Sequence, residues 1–158
     1  MITDEEPSKG LLTLKVIWSG MLGSLVTYLI LGLVIVTNLK TPMDESTYAV
    51  LKPALYILAV VVLITTRYVT KHILSWRGQL RRATLQHSAL RNFHHPALQK
   101  YAMAMILAWA MSESIGVFGL VLFLLGRNSM DLYLLILISA AAMLIYRPRK
   151  DELMSLVQ

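Results

Sequence analysis

One carboxylate, Glu113, lies near the middle of an otherwise apolar run that extends from Tyr101 to Leu125. A helix needs roughly 20 such residues to cross the hydrocarbon core of a membrane. Counted from Lys100, Glu113 lies about 20 Å along this helix, close to the membrane midplane. An ionisable group at that depth is costly, so we expect Glu113 to face protein or water and to be protonated, hydrogen-bonded or cation-bound.

Two roles are open for Glu113. It could bind a proton or a cation, or it could join two helices through a hydrogen bond. Arg67 and Arg127 are each more than about 10 Å away by helix rise, so we expect no direct ion pair with either. The candidate polar neighbours, chosen by membrane depth or by adjacency on the helix, are Ser112, Ser114, Thr27, Tyr28 and Ser139.

The composition is that of an integral membrane protein. Of 158 residues, 56% are hydrophobic and only 15% are charged, and the mean hydropathy is +0.61. So little chain remains outside the apolar runs that residues 1–158 are expected to form a single membrane domain. There is no cysteine, which excludes disulfides and thiol chemistry.

The sequence offers no pattern typical of an enzyme: it has no Ser-His-Asp set, no metal-ligand cluster and no glycine-rich nucleotide loop. His94 and His95 are adjacent, so their side chains diverge, and no acidic residue or cysteine lies near them. We interpret them as loop histidines. We therefore expect no catalytic residue, no metal site and no cofactor.

Four apolar segments predict four transmembrane helices, at about residues 16–37, 53–70, 101–125 and 132–146. The polar stretch 38–52 is expected to be a loop. Pro53 then falls in the first turn of the second helix, and Pro96 starts the third, because proline is tolerated at that position. The fold class is therefore an all-α integral membrane protein.

Charge predicts the membrane topology. Between Arg67 and Lys100 there are seven basic residues and no acidic residue. Loops rich in Lys and Arg stay in the cytoplasm, so the segment 67–100 should be a long, basic, amphipathic cytoplasmic loop between helices 2 and 3. With four spans, both the N and C termini are then cytoplasmic, and we expect a bacterial inner (plasma) membrane.

Within this loop, the basic residues Arg77, Arg81, Arg82 and Arg91 are candidates for binding the anionic inner leaflet or a partner protein. Nucleic acid is not expected as a partner, because a cytoplasmic segment next to the membrane is commonly basic.

The stretch Asn92-Phe-His-His-Pro96, the stretch Ala97–Lys100 and the run 108–125, in which Gly119-Leu-Val-Leu follows Glu113, resemble subunit c, the proteolipid of rotary ATP synthases. The resemblance covers the cytoplasmic loop and the carboxylate-bearing helix of that family, and it implies that Glu113 binds H⁺ or Na⁺. The family is generally a two-helix hairpin with a glycine-rich first helix, whereas segment 53–70 contains no glycine. Only the role of Glu113 is therefore carried over, without rotary function.

Two functional hypotheses follow. The first is a small proteolipid-like protein that binds a proton or cation at Glu113 and acts with other membrane subunits or as a homo-oligomer. The alternative is a non-catalytic membrane scaffold or assembly subunit, in which the basic loop docks a partner and Glu113 forms an interhelical hydrogen bond.

Overall fold

The computed structural model describes residues 5–38, 44–75 and 96–149. They form four helices: α1 (Glu5–Asn38), α2 (Glu45–Ser75), α3 (Pro96–Gly126) and α4 (Ser129–Ile145). No strand occurs in these three ranges, so the predicted all-α class is confirmed for them. The third helix begins at Pro96, as predicted, because the N–H that proline lacks would have no partner in a first turn.

Three of the four helices are long and apolar enough to cross a membrane. Their candidate spans are Gly10–Ile35, Glu45–Ile73 and Tyr101–Gly126. The fourth helix has 17 residues, slightly fewer than the roughly 20 that span the hydrocarbon core. Three of the four predicted spans therefore have helices of sufficient length, while the membrane side of each terminus stays a prediction.

The central helix of the bundle is α3. It contacts each of the other three helices, and α1 also contacts α4. In α3, 44% of the most apolar window is buried inside the bundle, compared with 11% in α1 and in α2. Large apolar side chains of the outer helices, such as Leu12 and Ile57, are exposed. In a membrane these faces would lie against lipid, where exposed apolar surface carries no penalty.

The start of α2 differs from the prediction. The helix begins at Glu45, eight residues before Pro53, so residues 45–52 are helical and not part of a loop, and the placement of Pro53 in a first turn is wrong. A proline inside a helix removes one backbone hydrogen bond. Here that loss is offset by contacts of the two preceding turns, because Tyr48 and Lys52 both bind Asp131 of α4.

A two-residue turn connects α3 to α4. Arg127 adopts a positive φ of 54°, and its N–H donates to the carbonyl of Phe123 at 2.8 Å. This is the left-handed cap that commonly ends a helix. Asn128 then caps α4, since its side-chain oxygen accepts from the N–H of Met130 at 3.1 Å. The two helices therefore fold back on each other directly.

Two tryptophans fix the other end of α4. The indole Nε1–H of Trp18 donates to the carbonyl of Met143 at 3.0 Å, and that of Trp109 donates to the carbonyl of Tyr146 at 2.8 Å. The last carbonyls of a helix have no partner within the helix, and water is scarce inside a membrane bundle. The two indoles therefore give carbonyls at the end of this short helix a partner, and they hold that end against α1 and α3.

Close contact between α3 and α4 generates a test of the packing. A Cβ added at Gly119 would lie 2.9 Å from Leu135 Cβ and 3.3 Å from the Leu132 carbonyl oxygen, whereas one added at Gly20 meets nothing within 4 Å. We expect Gly119→Ala to lower the free energy of unfolding by about 1–3 kcal/mol. The matched control Gly20→Ala should leave it unchanged or raise it by about 0.5–1 kcal/mol. Thermal unfolding in detergent, followed by circular dichroism, measures both, and equal effects would contradict this helix packing.

Candidate functional site

Glu113 lies on α3 and is hydrogen-bonded to α1. Tyr28 Oη donates to Glu113 Oε1 at 2.8 Å, and Ser24 Oγ donates to the same oxygen. Ser24 and Tyr28 are four residues apart, so both side chains lie on one face of α1. The carboxylate therefore joins the first and third helices near the middle of the apolar segment 101–125.

The Ser24 hydroxyl has a second acceptor. It lies 2.7 Å from the carbonyl of Met21 in its own helix. A hydroxyl carries one proton and two lone pairs, so it can donate to only one of these oxygens fully at a time. When it donates to Met21, a lone pair of Ser24 Oγ is available to Glu113. The same side chain can thus accept a hydrogen bond from a protonated Glu113 or donate one to an ionised Glu113.

The two carboxylate oxygens differ in their surroundings. Within the described ranges, Glu113 Oε2 has no hydrogen-bond partner, and Glu113 forms no ion pair. Every buried side-chain nitrogen or oxygen atom of the described residues does have a partner. Oε2 is therefore not buried, and the half-buried Glu113 presents it at the surface of the bundle.

Of the five predicted polar neighbours, the structure brings only Tyr28 to Glu113. The other four hydroxyls donate to backbone carbonyls at 2.6–3.2 Å: Thr27 to Gly23, Ser112 to Ala108, Ser114 to Met111, and Ser139 to Ser112. Ser24 was missed as a neighbour. Its position one turn before Tyr28 was the available signal, but in the sequence it indicates a small residue for helix packing.

The predicted docking residues Arg77, Arg81, Arg82 and Arg91 lie outside the described residues, as do His94 and His95. The basic surface therefore stays a prediction. In the described part of the chain, no three His, Cys, Asp or Glu side chains are grouped so that they could hold a metal ion.

A second polar cluster, which sequence reasoning did not find, surrounds Asp131 at the N-terminal end of α4. The residue is only 4% exposed. Both carboxylate oxygens are occupied: Tyr56 Oη donates to Oδ1 at 2.7 Å, and Tyr48 Oη donates to Oδ2 at 2.7 Å. The ammonium group of Lys52 lies 2.9 Å from Oδ2. Tyr48, Lys52 and Tyr56 recur every four residues, and this polar stripe on one face of α2 was the sequence signal.

Asp131 lies one residue before the apolar segment 132–146, and its surroundings favour the charged form. Burial alone would raise the pKa of this carboxyl group. Hydrogen bonds from Tyr48, Lys52 and Tyr56, together with the positive charge of Lys52, outweigh burial and hold the pKa below its usual value. Asp131 is thus an ionised side chain with a fixed counter-ion.

Comparison of the chain with protein-family models, with curated proteins and with solved structures finds no match. The resemblance of residues 92–125 to subunit c of rotary ATP synthases therefore stays a prediction, and the site has to be interpreted from its own geometry.

The Asp131 cluster generates a pH-dependent prediction. A carboxyl group with a lowered pKa in the folded state stabilises the protein above its unfolded pKa of about 3.9, and that contribution is lost as the pH falls through the folded value. At neutral pH, Asp131→Asn should therefore lower the free energy of unfolding by about 1–3 kcal/mol. The difference from wild type should shrink in acid.

The measurement is thermal unfolding of both proteins at neutral pH and at a series of acidic pH values. Asp44→Asn is the matched control, because Asp44 is exposed and precedes α2; it should leave the unfolding temperature near that of wild type. A deficit in Asp131→Asn that stays constant down to the most acidic pH would show that the ionised form contributes nothing.

Proposed function

We propose that this chain is a small integral membrane protein that binds a proton or a monovalent cation at Glu113. The observation that supports the proposal is the unequal use of the two carboxylate oxygens. Oε1 is held by two hydroxyls of α1, while Oε2 is accessible and has no partner among the described residues. Ionisable groups inside membrane segments commonly lie on ion or proton pathways, and one carboxylate balances one positive charge.

The hydroxyls of Ser24 and Tyr28 suit either ligand. Each hydroxyl can donate to a carboxylate or accept from a carboxylic acid. Hydroxyl and carboxylate oxygens are also hard ligands, the type that alkali and alkaline-earth cations prefer. A proton or cation can add at Oε2 while Oε1 keeps accepting from both hydroxyls, so binding or release of a positive charge at Glu113 requires no change in helix packing.

The resemblance to subunit c supports the same role for Glu113 and adds no other residue. We propose no catalytic activity and no cofactor for the chain. Its proposed setting is a bacterial inner membrane, with both termini and the basic segment 67–100 in the cytoplasm and against an anionic leaflet. Other membrane subunits or further copies of this chain are the proposed partners, and nucleic acid is not.

A membrane scaffold is the competing proposal. One observation favours it: the hydrogen bonds of Glu113 join α1 to α3, which is sufficient to explain an acid at this depth structurally. In this case the basic residues Arg77, Arg81 and Arg82 carry the function by docking a partner. Glutamine at position 113 would keep an acceptor oxygen for both hydroxyls, so the scaffold would tolerate Glu113→Gln.

Labelling by a hydrophobic carbodiimide tests the proposal, because such reagents modify a protonated carboxyl group in apolar surroundings. In wild-type membranes we expect mass spectrometry to locate the label at Glu113, with labelling that decreases as the pH rises or on addition of Na⁺. Glu113→Gln should abolish this label while leaving the unfolding temperature close to that of wild type, because the amide oxygen replaces Oε1.

Asp131 provides an internal control. It is more buried than Glu113, but it is paired with Lys52 and ionised, so it should stay unlabelled. The proposal fails if Glu113 of the folded protein is unmodified at every pH. In that event the scaffold is favoured, and capture of a partner should be lost when Arg77, Arg81 and Arg82 are neutralised together.

A further inference from the structure

A crevice opens between α1 and the segment that follows α4. Its volume is about 350 Å³. Among the described residues, seven line it: Leu12, Lys15, Val16, Trp18 and Ser19 from α1, with Arg147 and Pro148 from beyond α4. None of them takes part in the Glu113 site or in the Asp131 cluster, so the crevice is separate from both.

Two basic residues, Lys15 and Arg147, line this crevice although they are far apart in the sequence. The side chains of Lys15 and Arg147 are exposed, and neither forms an ion pair with a carboxylate of the described residues. Two positive charges that share one crevice without a counter-ion among the described residues attract an anion. An arginine beside a lysine is also well suited to phosphate, which accepts several hydrogen bonds from the guanidinium group.

The position of the two cations along the chain gives their depth in the membrane. Lys15 lies five residues inside the candidate span Gly10–Ile35 of α1, near its start, and Arg147 follows the apolar run that ends at Tyr146. Basic residues at the ends of apolar runs extend their charged groups to the headgroup region. Lys15 and Arg147 therefore lie at the depth of lipid phosphates.

The remaining walls of the crevice are apolar. Leu12, Val16, Pro148 and the ring of Trp18 supply most of the lining. The indole N–H of Trp18 is already bonded to the carbonyl of Met143, and the Ser19 hydroxyl donates to the carbonyl of Val16 at 2.9 Å. The cations are thus the main donors for a ligand, and apolar surface continues from them towards the hydrocarbon. That combination fits an amphiphile better than a free anion.

We infer that this crevice is a binding site for the phosphate headgroup of an anionic glycerophospholipid. Lys15 and Arg147 hold the phosphate, and the acyl chains run past Val16 along α1 towards the middle of the membrane. The bound lipid would lie against α1 and the end of α4, two segments that the Trp18 indole already joins. The site is independent of whether Glu113 binds a proton or a cation.

Native mass spectrometry of the full chain in detergent tests the inference by titration with phosphatidylglycerol and with phosphatidylcholine of the same acyl chains. We expect the first phosphatidylglycerol to bind more tightly than the first phosphatidylcholine. Each basic residue near a membrane surface strengthens binding to anionic lipid, so Lys15→Gln/Arg147→Gln should weaken phosphatidylglycerol binding by roughly tenfold or more. Binding of phosphatidylcholine should be unchanged.

A matched control removes two charges elsewhere at the same end of the bundle. Arg67 and Lys71 are exposed near the end of α2. The start of α2 contacts the start of α4 through Tyr48 and Asp131, so both helices run from there towards the same end of the bundle. Arg67→Gln/Lys71→Gln should retain the preference for phosphatidylglycerol. If both double variants lose phosphatidylglycerol binding equally, the preference reflects general surface charge, and the inference of a specific site is wrong.

Two further variants and a competitor complete the test. Lys15→Arg/Arg147→Lys keeps both positive charges and should keep the preference for phosphatidylglycerol. If Lys15→Gln/Arg147→Gln does not fold, the single change Lys15→Gln is measured in its place. Glycerol phosphate added in excess should not displace the lipid, because it lacks the acyl chains. Complete displacement would identify a site for soluble phosphate compounds, and absence of any phosphatidylglycerol preference in wild type would also overturn the inference.

Discussion

Hydrocarbon supplies no hydrogen bonds, and this constraint explains most of the polar contacts in the structure. Each hydroxyl, indole or carboxylate within the apolar helices has to find its partner inside the protein or lie at the surface of the bundle. Thr66, Thr70 and Ser112 do so locally, since each donates to a carbonyl one turn earlier in its own helix. The groups that cannot be satisfied locally are the ones that connect helices.

Two carboxylates make most of these connections, each between a different pair of helices. Glu113 links α3 to α1 through Ser24 and Tyr28, and Asp131 links α4 to α2 through Tyr48, Lys52 and Tyr56. The two acids lie at different levels of the bundle, one near its middle and one at the turn between α3 and α4. The helices also make apolar contacts with one another. In a membrane such contacts specify the relative position of two helices only weakly, because lipid is equally apolar. The hydrogen-bonded links therefore provide much of the specificity of the packing.

The sequence predicted where the helices lie better than it predicted which side of each helix faces its neighbours. Apolar runs give the helices, and a charge inside one of them identifies Glu113. Membrane depth identified Tyr28 as its neighbour, but it identified Thr27 equally well, and Thr27 bonds its own helix instead. In a soluble helix an apolar stripe would have marked the inward face. In a membrane helix the outward face is apolar too, so that signal is lost and only the structure separates Tyr28 from Thr27.

The misplaced start of α2 and the unpredicted Asp131 cluster have a related cause. Pro53 indicates a helix start because proline is common there, and nothing in the sequence around Asp131 indicates that it is buried. Both features depend on two elements together, whereas the sequence signals are local. Tyr48 and Lys52 continue the helix before Pro53 because Asp131 is there to receive them, and Asp131 is buried because their hydroxyl and ammonium groups compensate it. Such mutual dependence is visible only when the four-residue spacing of Tyr48, Lys52 and Tyr56 is considered with a distant acid.

The contrast between the two carboxylates bears on which of them can change its charge. Asp131 has both oxygens occupied and a cation in contact, so loss of its charge would leave Lys52 uncompensated and the tyrosine hydroxyls more weakly bound. Glu113 has no such counter-ion among the described residues, and its two partners are hydroxyls that can reverse the direction of their hydrogen bonds. A change of charge at Asp131 therefore breaks contacts, whereas the contacts of Glu113 survive it. An acid that keeps its partners in either charge state, with one oxygen accessible, has what reversible binding of a proton or a cation requires.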